Sequence, residues 1–329
     1  MIVYREAKEA DDTQLTELVA TPMPGDLRLS FRRDPSYLVS CGERGPVRRV
    51  LVAAEGERVL AMCSRFLHRY WVAGAVQEIW TVGDFRARPE AAHRSVTGRG
   101  WHALRERLEG KPALISVVDQ NQTALRLFCK VRKGWPHLHR VANLQTYLLP
   151  LAGVVTAPEY GTVSPTSSQV TEFLTRYLVS HLAPLVEENV LAPRETFLAL
   201  SNGAEITALA SLWDRQAHRQ WQVAGYSGIY RHLYRAGLLP RPGHQISVAT
   251  ACFAAAQDHD NLRLLFQQLR QRARRQGHDF LVFSQDAGKE PPFHLWWPRL
   301  RYPSTLYQLL WDGDEKLPFA LGDYPVSWL

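Results

Sequence analysis

Apolar positions in the chain follow two periods, and the switch between them lays out the elements. Ile2 to Arg5 reads as a short strand. Asp11 or Asp12 then caps a helix whose apolar face is Leu15, Leu18 and Val19, ended by Pro22, Pro24 and Gly25. Val50–Glu55 and Val59–Tyr70 form a hairpin across Gly56, and a turn at Ala73 and Gly74 leads to a long strand from Val76 to about Phe85. A polar, arginine-rich loop follows. Trp101, Leu104 and Leu108 fall on one helical face, Ala113–Asp119 is a continuous apolar strand, Asn121 caps a helix through Lys130, and Val141–Leu151 is a further strand.

Residues 152–168 are small, almost uncharged and rich in Pro, Gly, Ser and Thr, which predicts a linker. Beyond it the same order returns. One or two helices cover Ser168–Val190, Thr196–Leu200 pairs with Ile206–Asp214, and Gln220–Tyr226 and Gln245–Phe253 are strands. Leu262, Leu265, Phe266 and Leu269 then define the clearest amphipathic helix, with Arg263, Arg270 and Arg274 on its outer face. Phe280–Ser284 and Ser304–Trp311 close the pattern as strands. A repeated order of this kind predicts a duplicated unit: residues 1–152, a linker over 153–168, and residues 169–329.

Composition narrows the classes. Hydrophobic residues make up 46% and charged residues 22% of 329, an ordinary globular balance. The net charge of +7 is uneven: 23 basic and 16 acidic residues lie up to Pro150, and 16 of each beyond it, so an anionic ligand is expected in the first half. Cys41, Cys63, Cys129 and Cys252 form no CxxC pair and read as reduced, buried thiols. The amino terminus has no signal-peptide core and no apolar run is long enough to span a bilayer, so a soluble cytoplasmic protein without membrane contact is expected. Only 6 of the 39 basic residues are lysine, the usage of a GC-rich bacterial genome.

Tyr4-Arg-Glu-Ala, Asp11-Asp12, the segment from Gly83 to Glu90, the loop before Trp101, and Val117 to Asn121 with Ala124 carry a resemblance. Over most of residues 2–150 the chain resembles the GNAT superfamily of acyl-CoA-dependent N-acyltransferases, and residues 169–329 resemble the same fold more weakly. The resemblance implies an α+β fold, a mixed and mainly antiparallel sheet flanked by helices, as two GNAT-like sub-domains in tandem. It implies acetyl-CoA or another acyl-CoA as co-substrate, no metal, and a small-molecule or peptide amine as acceptor. An acyl-carrier protein or aminoacyl-tRNA is a less favoured donor, and binding of nucleic acid as such is not expected.

The family holds the CoA pyrophosphate on an Arg/Gln-x-x-Gly-x-Gly/Ala loop at a helix N-terminus, where unpaired amides and the helix dipole favour an anion. Here two registers are open. One runs from Ala92 to Thr97 with Ser95 at the first glycine position; the other uses Gly98 and Gly100. The implied cofactor-binding residues are Phe85, Arg86, Ala87, Arg94, Ser95, Val96, Thr97, Gly98, Asn121 and Phe128. Asn121 has a second reading as a helix cap. Glu78 and Asp84 are the candidate general bases, Glu78 having the alternative of a solvent-facing strand residue. Phe128 falls where the family carries an acidic tyrosine, and phenylalanine donates no proton. The alternative function is therefore a degenerate GNAT-fold binding or interaction protein.

In the second half the corresponding loop spans Ala254–Asn261, and Asp258 and Asp260 stand at the helix start, where carboxylates repel a phosphate. His137 and His139 have no further ligand at metal spacing. The aromatic stretch from Trp213 to Tyr234 reads as core or as a pocket between halves.

Overall fold

The computed structural model describes residues 1–41, 47–91, 96–128, 132–154, 161–178, 183–184, 197–203, 205–214, 216–293 and 299–318. Its first half contains β1 (Ile2–Glu6), α1 (Asp12–Val19), β2 (Leu27–Arg32), α2 (Tyr37–Ser40), β3 (Val47–Glu55), β4 (Arg58–Val72), β5 (Ala75–Ala87), α3 (Val96–Arg107), β6 (Ala113–Val118), α4 (Gln122–Phe128) and β7 (His137–Pro150). There follow β8 (Thr162–Val163), α5 (Ser167–Leu178), β9 (Ala183–Pro184), β10 (Phe197–Ser201), β11 (Ile206–Asp214), β12 (Gln220–Tyr226), α6 (Gly228–Arg235), β13 (Gln245–Ile246), β14 (Val248–Ala256), α7 (His259–Arg275), β15 (Phe280–Asp286) and β16 (Leu300–Leu310).

Apart from β2, β12 and β13, which form a small separate sheet, the described strands join one sheet in the order β1-β3-β4-β5-β6-β16-β7-β15-β14-β11-β10-β8, with β9 on β4. The order is a palindrome of two six-strand halves whose last strands are exchanged. β16, from the end of the chain, pairs antiparallel with β6, and β7, from the first half, pairs antiparallel with β15. β16 and β7 pair with each other over Leu300–Leu310, so the halves share hydrogen bonds along their full seam. The mainly antiparallel α+β sheet is therefore present, but as a single continuous surface.

Small and large side chains alternate across this sheet to seat the helices. α7 packs Leu265, Phe266, Leu269 and Ala273 on Ala208, Ala210, Ala249, Ala251 and Ala254, whose methyl groups let the helix approach closely. On the opposite face α5 places Phe173 and Leu174 against Phe197, Leu209 and Phe253. In the first half α3 buries Trp101, Leu104 and the following Leu108 on one face, and α1 buries Leu15, Leu18 and Val19. Each fully buried leucine or phenylalanine contributes about 1.5–3 kcal/mol of apolar transfer. The Ala73–Gly74 turn has φ of +48° and +85°, the paired left-handed conformation that matches strand twist in a two-residue hairpin.

Several expectations are corrected. Neither the Asp11 nor the Asp12 side chain caps α1: Asp11 is held by Arg5 at 2.6 Å and by the Lys8 amide, and Asp12 accepts from Leu38 N–H. The Gln245–Phe253 strand divides between the two sheets, because β13 pairs with β12 whereas β14 pairs with β11 and β15. The helix expected over Ser168–Val190 is described as α5 to Leu178 only; residues 185–196 lie outside the described residues, as does the linker segment 155–160. α4 is described to Phe128, and Cys129 and Lys130 beyond it lie outside the described residues. β2, α2 and α6 are additional elements, short enough to lack a readable period.

Candidate functional site

The site begins with an irregularity on β5. Met62 pairs with Arg86 and Ser64 with Gly83, so Asp84 and Phe85 together face the single residue Cys63. This bulge puts Asp84 in a left-handed conformation, φ +48°, and takes two backbone positions out of the ladder. Beside it the parallel pairing of β5 with β6 lasts only from Trp80–Ala113 to Val82–Ile115, although both strands continue. Past Val82 they splay, and the wedge between them is open.

Two cavities meet at that wedge. One, of about 320 Å³, runs beneath the start of α3 and is walled by Tyr4, Ala61, Cys63, Val96, Trp101 and Leu127 among others. The second, of about 230 Å³, extends the other way along the seam between halves, past Asp84, Ser304 and Thr250 to Arg219, Trp221 and Tyr302. Phe85, Arg86, Asn121, Ala124 and Phe128 line both. Phe85, Trp101 and Phe128 form a triangle of rings with centroids 5.4–5.5 Å apart, which fixes the shape of the junction.

The expected site residues separate cleanly. Phe85, Arg86, Ala87, Val96, Thr97, Asn121 and Phe128 all line the 320 Å³ cavity. Asp84 lines the second, its carboxylate accepting from Tyr37 Oη at 2.8 Å and Ser64 Oγ at 3.2 Å. Asn121 also caps α4 through the Ala124 amide at 3.0 Å, so its two readings coexist. Arg94 and Ser95 lie outside the described residues. Gly98 and Gly100 sit inside α3 rather than in a loop ahead of it. A Cβ on Gly98 would meet the Trp135 ring at 3.3 Å, so this glycine admits a close-packed neighbour. Glu78 is exposed on β5 ahead of the stretch paired with β6, at the end away from the splay, 3.7 Å from Lys111 Nζ, and lines neither cavity. Of the two candidate carboxylates, Asp84 lines a cavity and Glu78 does not.

Other groups were not legible in sequence. Tyr37 is fully buried on α2 and reaches Asp84 from 47 residues away, which no motif signals. Trp101 lines the 320 Å³ cavity, and its buried indole N–H has no acceptor among the described residues. Tyr302 and Arg219 come from the second half; burial pushes the Tyr302 phenol well up, while Arg86 and Arg219 pull it down. Burial also pushes the Cys63 thiol up to about 12, which leaves it unable to act as a nucleophile at neutral pH. Among the described residues no three His, Cys, Asp or Glu side chains cluster as a metal ion would require.

The second half repeats the bulge without the chemistry. Leu209 pairs with Ala255 and Ser211 with Cys252, so Phe253 and Ala254 face Ala210, and Phe253 has φ +52°. The parallel pairing of β14 with β15 also stops after three residues. Phe253 is buried against α5, and Asp258 closes the start of α7 by accepting from the Asn261 amide at 2.7 Å. Hydrogen bonding to that amide holds the Asp258 carboxyl below its ordinary value.

No family model matches the chain, and no curated protein sequence matches it. Solved structures do. N-myristoyltransferase from Saccharomyces cerevisiae with bound myristoyl-CoA aligns at a TM-score of 0.62 and 10% identity, over 94% of this chain and 82% of that one. A GCN5-related N-acetyltransferase from Anabaena variabilis aligns at 0.51 and 9%, over 94% and 72%. A conserved protein from Enterococcus faecalis, described as a probable N-acyltransferase, aligns at 0.52 and 8% over the same shares. The chain has the fold of the GNAT superfamily.

Proposed function

We propose that the protein is an N-acyltransferase that takes an acyl group from acyl-CoA in the first-half cleft and transfers it to an amine entering along the seam between the halves. The observation that carries this reading is the junction at the Asp84–Phe85 bulge, where two cavities from opposite directions share five lining residues. One admits the donor from the arginine-rich side near the α3 N-terminus. The other brings the acceptor to the same point, which is what a direct transfer needs.

The pantetheine arm would lie between β5 and α3, over Ala87, Val96, Thr97 and Trp101, with the thioester carbonyl on the backbone freed by the bulge. Asp84 would take the proton of the incoming ammonium, its carboxylate held in place by Tyr37 and Ser64. The neutral amine attacks the carbonyl carbon, the nitrogen gives up its second proton to water, the C–S bond breaks, and CoA leaves as a thiolate beside Phe128. Since Phe128 has no proton to give, the thiolate takes one from water or leaves charged. The pyrophosphate would rest at the start of α3, in the register from Ala92 to Thr97, because Gly98 and Gly100 are already inside the helix.

We read residues 1–152 and 169–329 as two GNAT-like units joined through 153–168. The second shapes the acceptor cavity, since its own bulge is packed with apolar side chains. A small-molecule or peptide amine in the cytoplasm suits this reading; Cys41, Cys63 and Cys252 are buried. The test is calorimetry with acetyl-CoA and a series of longer acyl-CoAs, followed by thiol release with mixed amines. Binding with turnover supports the transferase. Binding without turnover supports the non-catalytic alternative, which the phenylalanine at position 128 favours. No binding removes both.

A further inference from the structure

Between Asp214 and Asp258 the chain has no acidic residue over 43 positions, yet it carries five arginines and three histidines. The fold concentrates that imbalance on the outer side of the small sheet. α6 lies there, and none of its residues is buried. Arg231, His232, Arg235, Arg241 and His244 are exposed, and Arg28 and Arg301 are exposed on the neighbouring strands. Tyr230 ties the helix to β16 through the Arg301 backbone. None of Arg231, Arg235 or Arg241 is ion-paired among the described residues.

Two large aliphatic side chains stand among these cations. Ile229 is 64% exposed at the first turn of α6, and Leu238 is 69% exposed just beyond its end. Leu238 is presented by Gly237, whose φ of +73° reverses the chain, while the Leu238 amide bonds back to Leu233. Tyr230 and Tyr234 form the inner face, packed on the cluster of Phe31, Tyr226 and Val248. The helix thus has an anchored aromatic side and an outer side that combines protruding aliphatics with unpaired arginines.

We propose that α6 and the Gly237–His244 turn form a docking surface for a lipid bilayer bearing anionic headgroups. The arginines face phosphates, and Ile229 and Leu238 enter the headgroup–acyl boundary. Protruding aliphatics favour this partner over nucleic acid, whose charged backbone offers them nothing. They favour it over an acidic protein because one short helix and a turn fall well below the area of a stable protein interface. No helix among the described residues is long and apolar enough to cross a membrane, so the contact is peripheral. The same small sheet contributes Phe31 and Trp221 to the wall of the 230 Å³ cavity, which places the bilayer beside the seam.

The test is co-sedimentation of the full-length protein with vesicles of phosphatidylcholine alone and of phosphatidylcholine with phosphatidylglycerol in equal parts. Binding is expected only to the anionic vesicles and should weaken with salt. Replacing Arg231, Arg235 and Arg241 together by Gln should lower it roughly a hundredfold, at roughly fivefold per arginine. Ile229→Glu with Leu238→Glu should abolish it, with an unchanged unfolding midpoint showing that the fold is kept. Equal binding to neutral vesicles, no binding, or unimpaired binding by the double glutamate variant would overturn the proposal. So would a preference for polyuridine or polyglutamate, each of which would assign the surface to a different partner.

Discussion

Asp84 and Phe253 occupy equivalent positions in the two halves of the sheet: each opens a two-residue bulge facing one neighbour, with φ of +48° and +52°. A non-glycine residue there costs on the order of 1–3 kcal/mol. The geometry recurs while the chemistry does not. Asp84 faces a tyrosine hydroxyl, a serine hydroxyl and a cavity; Phe253 faces Phe197 and Trp213 at 6.2–6.3 Å between ring centroids. One bulge holds a carboxylate at a junction of cavities, and the other closes a core.

If Asp84 is the base, Asp84→Asn should lower turnover by about 10²–10⁴-fold while acyl-CoA binding measured by calorimetry stays within a few-fold. Tyr37→Phe removes one of its two named donors and should give a smaller loss, together with about 0.5–1.5 kcal/mol of stability. Glu78→Gln, outside both cavities, should leave turnover unchanged. A large effect at Glu78 with none at Asp84 would reverse the assignment.

The aromatic triangle separates packing from proton donation. Phe128→Tyr should retain activity or raise it, because the added hydroxyl enters a junction already lined by Arg86 and Asn121. Trp101→Phe removes an indole N–H that has no acceptor among the described residues, so thermal stability should change only through the smaller ring. If that N–H serves the bound pantetheine, acyl-CoA affinity should fall by roughly 1 kcal/mol, about fivefold. Calorimetry and a melting curve on the same preparation read both effects.

Gly98 and Gly100 offer a test of which register meets the pyrophosphate. In a helix interior Gly→Ala gains about 1 kcal/mol. Gly100→Ala meets only the Tyr4 ring edge at 3.6 Å and should stabilise, whereas Gly98→Ala must displace the Trp135 ring and should gain less or nothing. Acyl-CoA affinity should survive Gly98→Ala. A collapse of binding in that variant would mean that its backbone cradles the phosphate.

His278 makes stability depend on pH. It is buried, and its Nδ1 lies 2.9 Å from Ser247 Oγ and 3.2 Å from Gln216 Nε2. The Gln216 amide can only donate to Nδ1, so the neutral ring is the form the site accepts. Burial lowers its pKa, against a smaller opposite pull from Asp214 and Asp279. The unfolded chain therefore takes up a proton first as pH falls. Stability is fully present above the ordinary histidine value of about 6.5 and is lost from there down to the lowered folded value. Denaturant melts at pH 7.5 and 5.5 should show a larger drop for the wild type than for His278→Gln. A tenfold difference in proton affinity between the folded and unfolded chain would make the excess about 1.4 kcal/mol at most.

The alternation of periods along the chain was enough to define most strands, the α3 and α7 faces and the repeated order, because burial of one face is a local demand written at fixed spacing. Phe85, Arg86, Asn121 and Phe128, singled out from short segments of the sequence, line both cavities. What the tertiary structure alone decided is how those segments meet. The exchange of β7 and β16 leaves no local trace, since a strand's own sequence does not state which neighbour it will hydrogen-bond. Arg219 and Tyr302 come to wall the seam beside that pairing, and Tyr37 reaches Asp84 through the packing of α2 on the sheet. Residues far apart in sequence become one site only when the sheet closes around them.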